Sequence, residues 1–370
     1  MKLIVQIKLL PSPEQASALR ETLEVTNAAC NRLSQLAWDR KEFRRFLLHK
    51  IFYRQIRDEF PLTAQVVCLL NAKVADGYKL DKKVQRSFRK HGSIAYDSRI
   101  LSLNLIPSMV NIWTVKGRAK MPFVCGEKQR VLLGYPRGEA DLILRKGKWF
   151  LNITVEVPEE KEIEAIDVLG VDMGIVNICA DSDGNKYSGA KLNKIRHRNR
   201  ALRRKLQRIG TKSAHRLLKK RSPKEQRFAT DTNHVISRRI VSLAERTERG
   251  IAIEKLDGIR ERVRAKKRER TKLHSWAFAQ LGGFLSYKAK LAGVNLVEID
   301  PRYTSQQCSQ CGHTEKANRK SRDSFVCKSC GYTSCADENG AANIRLRGLE
   351  TLAGAGAFNR PYAETSVCVV

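Results

Sequence analysis

The sequence predicts an α+β protein of several domains: a small β-barrel with a helical domain inserted in it, then an α/β domain interrupted by a zinc-binding module. Three observations predict it. Between Leu3 and Val157 the apolar residues repeat every second position, then every three or four, then every second again. Beyond them, two short aliphatic runs each hold a single carboxylate. Two Cys-x-x-Cys pairs follow. A chain of 370 residues is long enough for about two or three domains with real cores.

Leu3, Val5, Ile7 and Leu9 alternate with polar residues as a half-buried strand does, and Pro11 to Gln15 supplies a helix cap and a first-turn proline. From Glu14 to His91 the apolar residues recur at helical steps, among them Leu19 and Leu23, then Phe43, Leu47 and Ile51, then Val66, Leu69 and Leu70. The break near Pro61 predicts three or four packed helices. Period two returns in Ile94 to Leu105, Ile112 to Val115, Val131 to Leu133, Leu142 to Leu144 and Trp149 to Val157. These read as short strands, the last two forming a hairpin over Lys146-Gly147-Lys148. The opening strand (1–10) and the later strands (93–163) make one barrel, with the helices (11–92) inserted. Pro158 to Ile163 is an acidic connector.

Val168 to Ala180 is the stretch the chain is organised around. Apolar residues crowd both sides of Asp172, as in a buried central strand, and Gly174 opens a tight turn. A lone Asp there costs several kcal/mol unless a cation or hydrogen-bond donor meets it, so a ligand role competes with a turn-capping role. Sugar kinases, actin-like ATPases and RNase H-like nucleases all begin their sites in this way. A kinase-like reading fails for want of Gly-rich phosphate loops.

Asp181 to Asn185 reads as a hairpin turn with a brief partner strand. From Lys191 to Arg227 bases are dense and Glu225 is the only acid. Leu202, Leu206, Ile209, Leu217 and Leu218 give this stretch a thin apolar stripe, which predicts a helix with one face on the protein and the rest toward phosphates. Arg196, Arg200, Arg203, Arg204, Lys205 and Arg208 are its expected nucleic-acid contacts. His234 to Ala244 reads as a further helix. It leads to Gly250 to Leu256, a second buried strand with one acid, Glu254, near its C-terminal end, where open α/β sheets place their ligands. Arg260 to Lys272 is a second basic run, read as a mobile cover over the site. Trp276 to Ala292 reads as an amphipathic helix and Val294 to Ile299 as a strand.

Seventy Lys and Arg against thirty-eight Asp and Glu leave a net charge of +32. Self-repulsion on that scale opposes compaction, so the expected partner is a polyphosphate chain. A membrane role is not expected, because there is no long apolar span and Gln6 and Lys8 interrupt the first ten residues. Of ten cysteines, Cys30, Cys68, Cys125, Cys179, Cys335 and Cys368 are scattered, which suits a reducing cytoplasm without a disulfide framework. The other four, Cys308, Cys311, Cys327 and Cys330, have the spacing of a four-thiolate zinc site. Gly312 and Gly331 let the chain turn back at each knuckle. One structural Zn²⁺ is expected, with His313 and Cys335 outside its ligand set. Next comes Asp337, near the start of a helix that begins at about Asn339. An N-cap role is open to it. Together with Asp172 and Glu254 it makes three hard oxygen ligands of the kind that hold two Mg²⁺ or Mn²⁺ ions for phosphodiester hydrolysis.

Gly-Val-Asp172-Met-Gly, Ile-Glu254-Lys-Leu, Tyr303-Thr304-Ser305-Gln306-Gln307-Cys308-Ser309-Gln310-Cys311-Gly312 and Asp337-Glu-Asn-Gly-Ala-Ala-Asn343-Ile344 together resemble the successive signatures of the TnpB family, transposon-encoded RNA-guided DNA endonucleases related to type V CRISPR effectors. The resemblance is specific from Ile166 to Arg347 and architectural before that. It implies a wedge barrel (1–10 and 93–163), a helical recognition lobe (11–92), a RuvC-like RNase H fold nuclease domain (164–303 and 335–348), a zinc ribbon (304–334) and a disordered tail (349–370). It implies catalysis by Asp172, Glu254 and Asp337 with two Mg²⁺ or Mn²⁺ ions. It further implies a guide RNA from the transposon end and cleavage of double-stranded target DNA beside a short flanking motif. The protein would be monomeric in its ribonucleoprotein, in a prokaryotic cytoplasm and on the nucleoid when bound to DNA. Two alternatives are a transposase performing strand transfer and a non-cleaving RNA-guided repressor.

Overall fold

In a computed structural model, which describes residues 1–256, 278–321 and 323–358, the chain divides at the connector into two units, residues 1–158 and 159–370. The first is built on β1 (Lys2–Leu9), whose Val5, Ile7 and Leu9 are buried. It lies antiparallel between β7 (Lys148–Glu156) and β5 (Gly117–Val124). The full order is β2 (Ile94–Tyr96), β6 (Arg137–Arg145), β7, β1, β5, β4 (Met109–Thr114), β3 (Leu101–Asn104). β2 and β3 stand at opposite edges, yet only residues 97–100 join them, so the sheet must curl. The Tyr96 hydroxyl of β2 accordingly donates to the carbonyl of Trp113 in β4 at 3.0 Å, and the sheet is a nearly closed barrel.

Between β1 and β2 lie α1 (Pro13–Arg40), α2 (Arg45–Glu59) and α3 (Ala64–Leu80). Ser12 caps α1: its hydroxyl accepts from the Gln15 amide at 3.2 Å, and the Gln15 side chain accepts from the Ser12 amide at 3.0 Å. The helical region stops at Leu80, short of the expected His91. Beyond it the chain runs as a non-helical strap along α1, because side chains there answer its backbone: Asn31 pairs with both the amide and the carbonyl of Phe88, Asn27 donates to the carbonyl of Gly92, and Ser34 to that of Arg86. Two further corrections concern the barrel. Val131 to Leu133 is not a strand but closes α4 (Glu127–Leu132), with Val131 exposed, and Ile94 to Leu105 is two strands, β2 and β3. β5 lacked a strand signal because Pro122 lies within it; its partner strand there is paired through Met109.

The second unit holds a five-stranded sheet in the order β10 (Lys186–Ser188), β9 (Asn177–Asp181), β8 (Val168–Asp172), β11 (Gly250–Glu254), β12 (Leu296–Ile299). The first three strands form an antiparallel meander, whereas β8, β11 and β12 are parallel. Asp181 holds the turn between β9 and β10 by accepting from the amides of Asp183 and Asn185. Two helices follow β10: α5 (Ala190–Ile209), closed by Gly210 at φ 67°, and α6 (Lys212–Arg246). The latter runs unbroken through Pro223, so the end of the basic run and the expected helix at His234 are one element. Alternation divides the central strands between two faces. Leu169, Val171, Ile251 and Ile253 pack against Ile236, Ile240 and Val241 of α6 and Leu281 and Leu285 of α7 (Phe278–Leu291), while Val168, Ala252 and Ile299 pack against Ile344 of α8 (Ala336–Phe358). α8 begins three residues earlier than expected and continues through positions 349–358, which the sequence placed in a disordered tail. Ahead of it, β13 (Ser324–Val326) and β14 (Thr333–Cys335) form a two-stranded sheet. The basic run Arg260 to Lys272 lies outside the described residues.

Candidate functional site

The parallel register of β8 and β11 matches Val171 with Ile253, so Asp172 and Glu254 stand side by side at the C-terminal ends of their strands. Period two sends both to the face that α8 covers, the face of Val168 and Ala252. Asp337 lies in the first turn of α8, not at its N-cap. Helix and sheet approach to backbone contact. A Cβ at Gly170 would sit 2.2 Å from the carbonyl oxygen of Ala341, and one at Gly348 would meet the Ala252 Cβ at 2.5 Å. One at Gly340 would stand 3.0 Å from Asp172 Oδ2, so the helix that carries Asp337 crosses directly over Asp172.

Burial, then the negative charges of Glu254 and Asp337, push the Asp172 carboxyl up to about 7, against the pull of the Arg319 guanidinium. Burial likewise raises Glu254, opposed by a hydrogen bond from Thr304 and by Arg347 and Arg319. Asn177 Nδ2 donates to Asp337 Oδ2 at 2.8 Å. Burial leads both shifts, and on Asp172 the charges of Glu254 and Asp337 add to it, so the three carboxylates lie near enough to act on one another; as a donor set, carboxylate oxygens suit hard divalent cations. They do not converge on one point. Among the described residues, only the four cysteines bring three or more possible ligand atoms all within 4.8 Å of one another.

In that cysteine cluster the two knuckles match: the amides of Cys308 and Cys327 donate to the carbonyls of His313 and Tyr332, and Gly312 and Gly331 turn at φ 74° and 73°. Cys308 Sγ lies 3.7 Å from Cys330 Sγ, and Cys311 Sγ lies 3.6 Å from Cys327 Sγ. A tetrahedron with Zn–S bonds of about 2.3 Å has edges of about 3.8 Å, so the thiols fit zinc. The Cys330 amide, donating to Cys327 Sγ at 3.5 Å, lowers that thiol and so favours the thiolate form that a zinc ligand takes. His313 instead faces Glu315, and Cys335 lies in β14.

The basic residues of α5 divide. Arg196 and Arg200 are half-buried; burial lowers the Arg196 guanidinium, opposed by the charge of Glu225 in α6. Arg203 pairs with Glu225 at 3.0 Å, across a groove of about 180 Å³ between the two helices. Arg204, Lys205 and Arg208 are exposed, with no acidic partner among the described residues. The expected apolar stripe is thinner still: Leu206 is buried, but Ile209 and Leu217 are exposed.

Sequence reasoning missed Asn177, Thr304, Asn339, Asn343 and Arg319. Asn339 Oδ1 accepts from the Ser309 amide, and Asn339 and Asn343 both donate to the Gln307 carbonyl, fastening the ribbon's first knuckle to α8. Thr304, Asn339 and Asn343 stand in the recognised motifs, but nothing in sequence pointed to their partners. Arg319 carried no signal.

The second unit is thus an α/β domain with two carboxylates at its strand ends, a third on the helix that crosses them, and a four-thiol cluster in the segment leading into that helix. Residues 152–258 match the OrfB_IS605 family model, described as a probable transposase, and residues 278–344 match the Cas12f1-like TNB domain. A CRISPR-associated endodeoxyribonuclease Cas12f1 of Sulfoacidibacillus thermotolerans is 31% identical over 60% of this chain and 56% of its own. A TnpB-like protein of Methanocaldococcus jannaschii is 27% identical over 52% of this chain and 72% of its own. Among solved structures, Cas12f1 in complex with sgRNA and target DNA superposes with a TM-score of 0.64 over 90% of this chain and 83% of that one, at 17% identity, a likeness of fold. Over these segments the chain is similar to TnpB-like and Cas12f proteins, in keeping with the resemblance its motifs carry. It spans about half the length of the curated CRISPR-associated relatives it matches.

Proposed function

We propose that the chain is an RNA-guided, metal-dependent DNA endonuclease in which Asp172, Glu254 and Asp337 hold the catalytic ions. The observation that carries this reading is the acidic site itself: two strand ends and a helix N-terminus supply three carboxylates to one face, in a chain related to proteins named as RNA-guided or CRISPR-associated DNA endonucleases. The strand order, with a three-strand meander flanked by two parallel strands, supports a RuvC-like RNase H fold for residues 164–303 and 335–348. Residues 304–334 would be its zinc ribbon, 1–10 and 93–163 the wedge barrel, and 11–92 the recognition lobe. The wedge and recognition lobe would read a short motif beside the target.

Asp172, on which the charges of both other acids act, would ligate both ions, with Glu254 and Asp337 completing one each. When bound, paired Mg²⁺ or Mn²⁺ would supply activation of water and neutralisation of the departing oxygen in an in-line displacement. Water oxygen joins phosphorus, the bond from phosphorus to one ester oxygen breaks, and that oxygen leaves as a hydroxyl. Exposed cations such as Arg204, Lys205 and Arg208 would hold guide or target phosphates without reading bases.

The test is reconstitution with the RNA that co-purifies and a duplex matching its variable end. Cleavage should require Mg²⁺ or Mn²⁺. Asp172→Ala, Glu254→Ala and Asp337→Ala should each abolish it while guide-dependent DNA binding persists. Normal cutting by all three variants would overturn the assignment.

A further inference from the structure

We infer that Thr304 is the positioning residue for Glu254, and that the segment leading into the ribbon is the clamp that aims this carboxylate at its cation. The inference rests on the proposed metal-dependent reading of the acidic site. Thr304 is only 3% exposed. Its hydroxyl lies 2.5 Å from Glu254 Oε1 and 3.0 Å from the carbonyl of Pro301. One hydroxyl hydrogen serves one of them, and the charged, nearer carboxylate takes it. That bond fixes one Glu254 oxygen and leaves the other for a cation. Asp337 is treated in the same way, with Oδ2 engaged by Asn177.

A positioning bond holds its target only if its own residue is held. The carbonyl of Thr304 accepts from Asn343 Nδ2 at 2.9 Å, and that of Gln307 accepts from Asn339 and Asn343 at 2.8 and 2.7 Å. Arg347 donates to the Gln307 side chain and to the carbonyls of Asp300 and Arg302. All three anchors belong to α8, the helix that bears Asp337, and the segment ends in Cys308 of the four-thiol cluster. Glu254 is thus oriented from the helix and the ribbon as well as from its own strand.

The test compares Thr304→Val, which keeps the shape and removes the hydroxyl, with Thr304→Ser, which keeps the hydroxyl. Mn²⁺ binding to the purified ribonucleoprotein is followed by electron paramagnetic resonance, beside the Mg²⁺ concentration for half-maximal cleavage. Thr304→Val should weaken Mn²⁺ affinity, and raise the Mg²⁺ concentration for half-maximal cleavage, by about tenfold or more, the usual effect of losing a bond that orients a ligand, and Thr304→Ser should stay near wild type. In a Glu254→Gln background, Thr304→Val should change Mn²⁺ affinity no further, because the bond acts through that carboxylate. Zinc content should be the same in all variants, which separates positioning from unfolding. If Thr304→Val does not fold, Thr304→Cys takes its place in the same cycle. Wild-type metal dependence in the Val or Cys variant, a Ser variant as defective as Val, or an additive loss in the Gln background would each overturn the role. A wild-type particle that binds Mn²⁺ but cuts no DNA would refute the nuclease reading alone, since the Mn²⁺ comparison still judges Thr304.

Discussion

Replacing Asp172 by Asn should stabilise the protein at alkaline pH when divalent ions are withheld. In the fold this carboxyl titrates at about 7 against an ordinary 3.8. An acid with a raised value binds its proton more tightly folded than unfolded, so its contribution to stability is lost as pH climbs from 3.8 to about 7 and stays lost above that. The full penalty is about 4 kcal/mol, from roughly three pKa units at about 1.4 kcal/mol each, and at pH 5 less than about half of it has accrued. An Asn carries no such penalty, although its amide brings hydrogen-bonding demands of its own. Those demands do not vary with pH and cancel when two pH values are compared. The stability difference between the two proteins should therefore widen by about 2–3 kcal/mol from pH 5 to pH 8, or about 5–10 °C in Tm for a unit of this size. Thermal unfolding in Mg²⁺-free and Mn²⁺-free buffer measures it. Adding Mg²⁺ at pH 8 should raise the wild-type Tm and the Asn variant's much less. An identical difference at both pH values would refute the claim that Asp172 is buried against like charge.

Gly170→Ala should destabilise the second unit by about 3 kcal/mol or more, since its Cβ would lie 2.2 Å from a carbonyl of α8; urea unfolding with a wild-type midpoint would contradict that packing. Purified protein should carry about one zinc per chain by elemental analysis, and Cys327→Ser should lower both zinc content and Tm. Neutralising Arg203, Arg204 and Lys205 together should weaken guide or target binding across all sequences. The loss in salt slope should be nearer two charges than three, because Arg203 already faces Glu225. A change of accepted flanking motif with an unchanged slope would make α5 a sequence reader.

Where side-chain period alone decides structure, the chain was legible. The aliphatic runs around Asp172 and Glu254 are strands, Val5, Ile7 and Leu9 line the barrel, and the four cysteines converge. The misreadings fall where something other than period decides. Asparagines and a serine of α1 stand in for a backbone partner along residues 86–92, so a segment with helical spacing is irregular. A helix accommodates Pro223, and a strand accommodates Pro122. Charge density marked the α5 run as a phosphate surface, yet a single acid on α6 takes Arg203 out of the open set.

The last motif shows why a site can be named from sequence without its workings being visible. Gly340, Ala341, Ile344 and Gly348 lie three, four, seven and eleven residues after Asp337 and form with it the stripe of α8 that meets the sheet, with glycines where the backbones touch. Asn339, Asn343 and Arg347 fall four apart on a second stripe, which bonds the segment entering the ribbon. One helix thus carries a carboxylate, clears space over a second and, through Thr304, orients the third. The two stripes interleave in a sequence of small and amide residues whose overall polarity has no clear face. Only the pairing of Thr304 with Glu254, across fifty residues of chain, reveals which stripe serves which cluster. It follows that a substitution on the second stripe, such as Asn343→Ala, should reach metal affinity through Thr304 while leaving all three carboxylates in place.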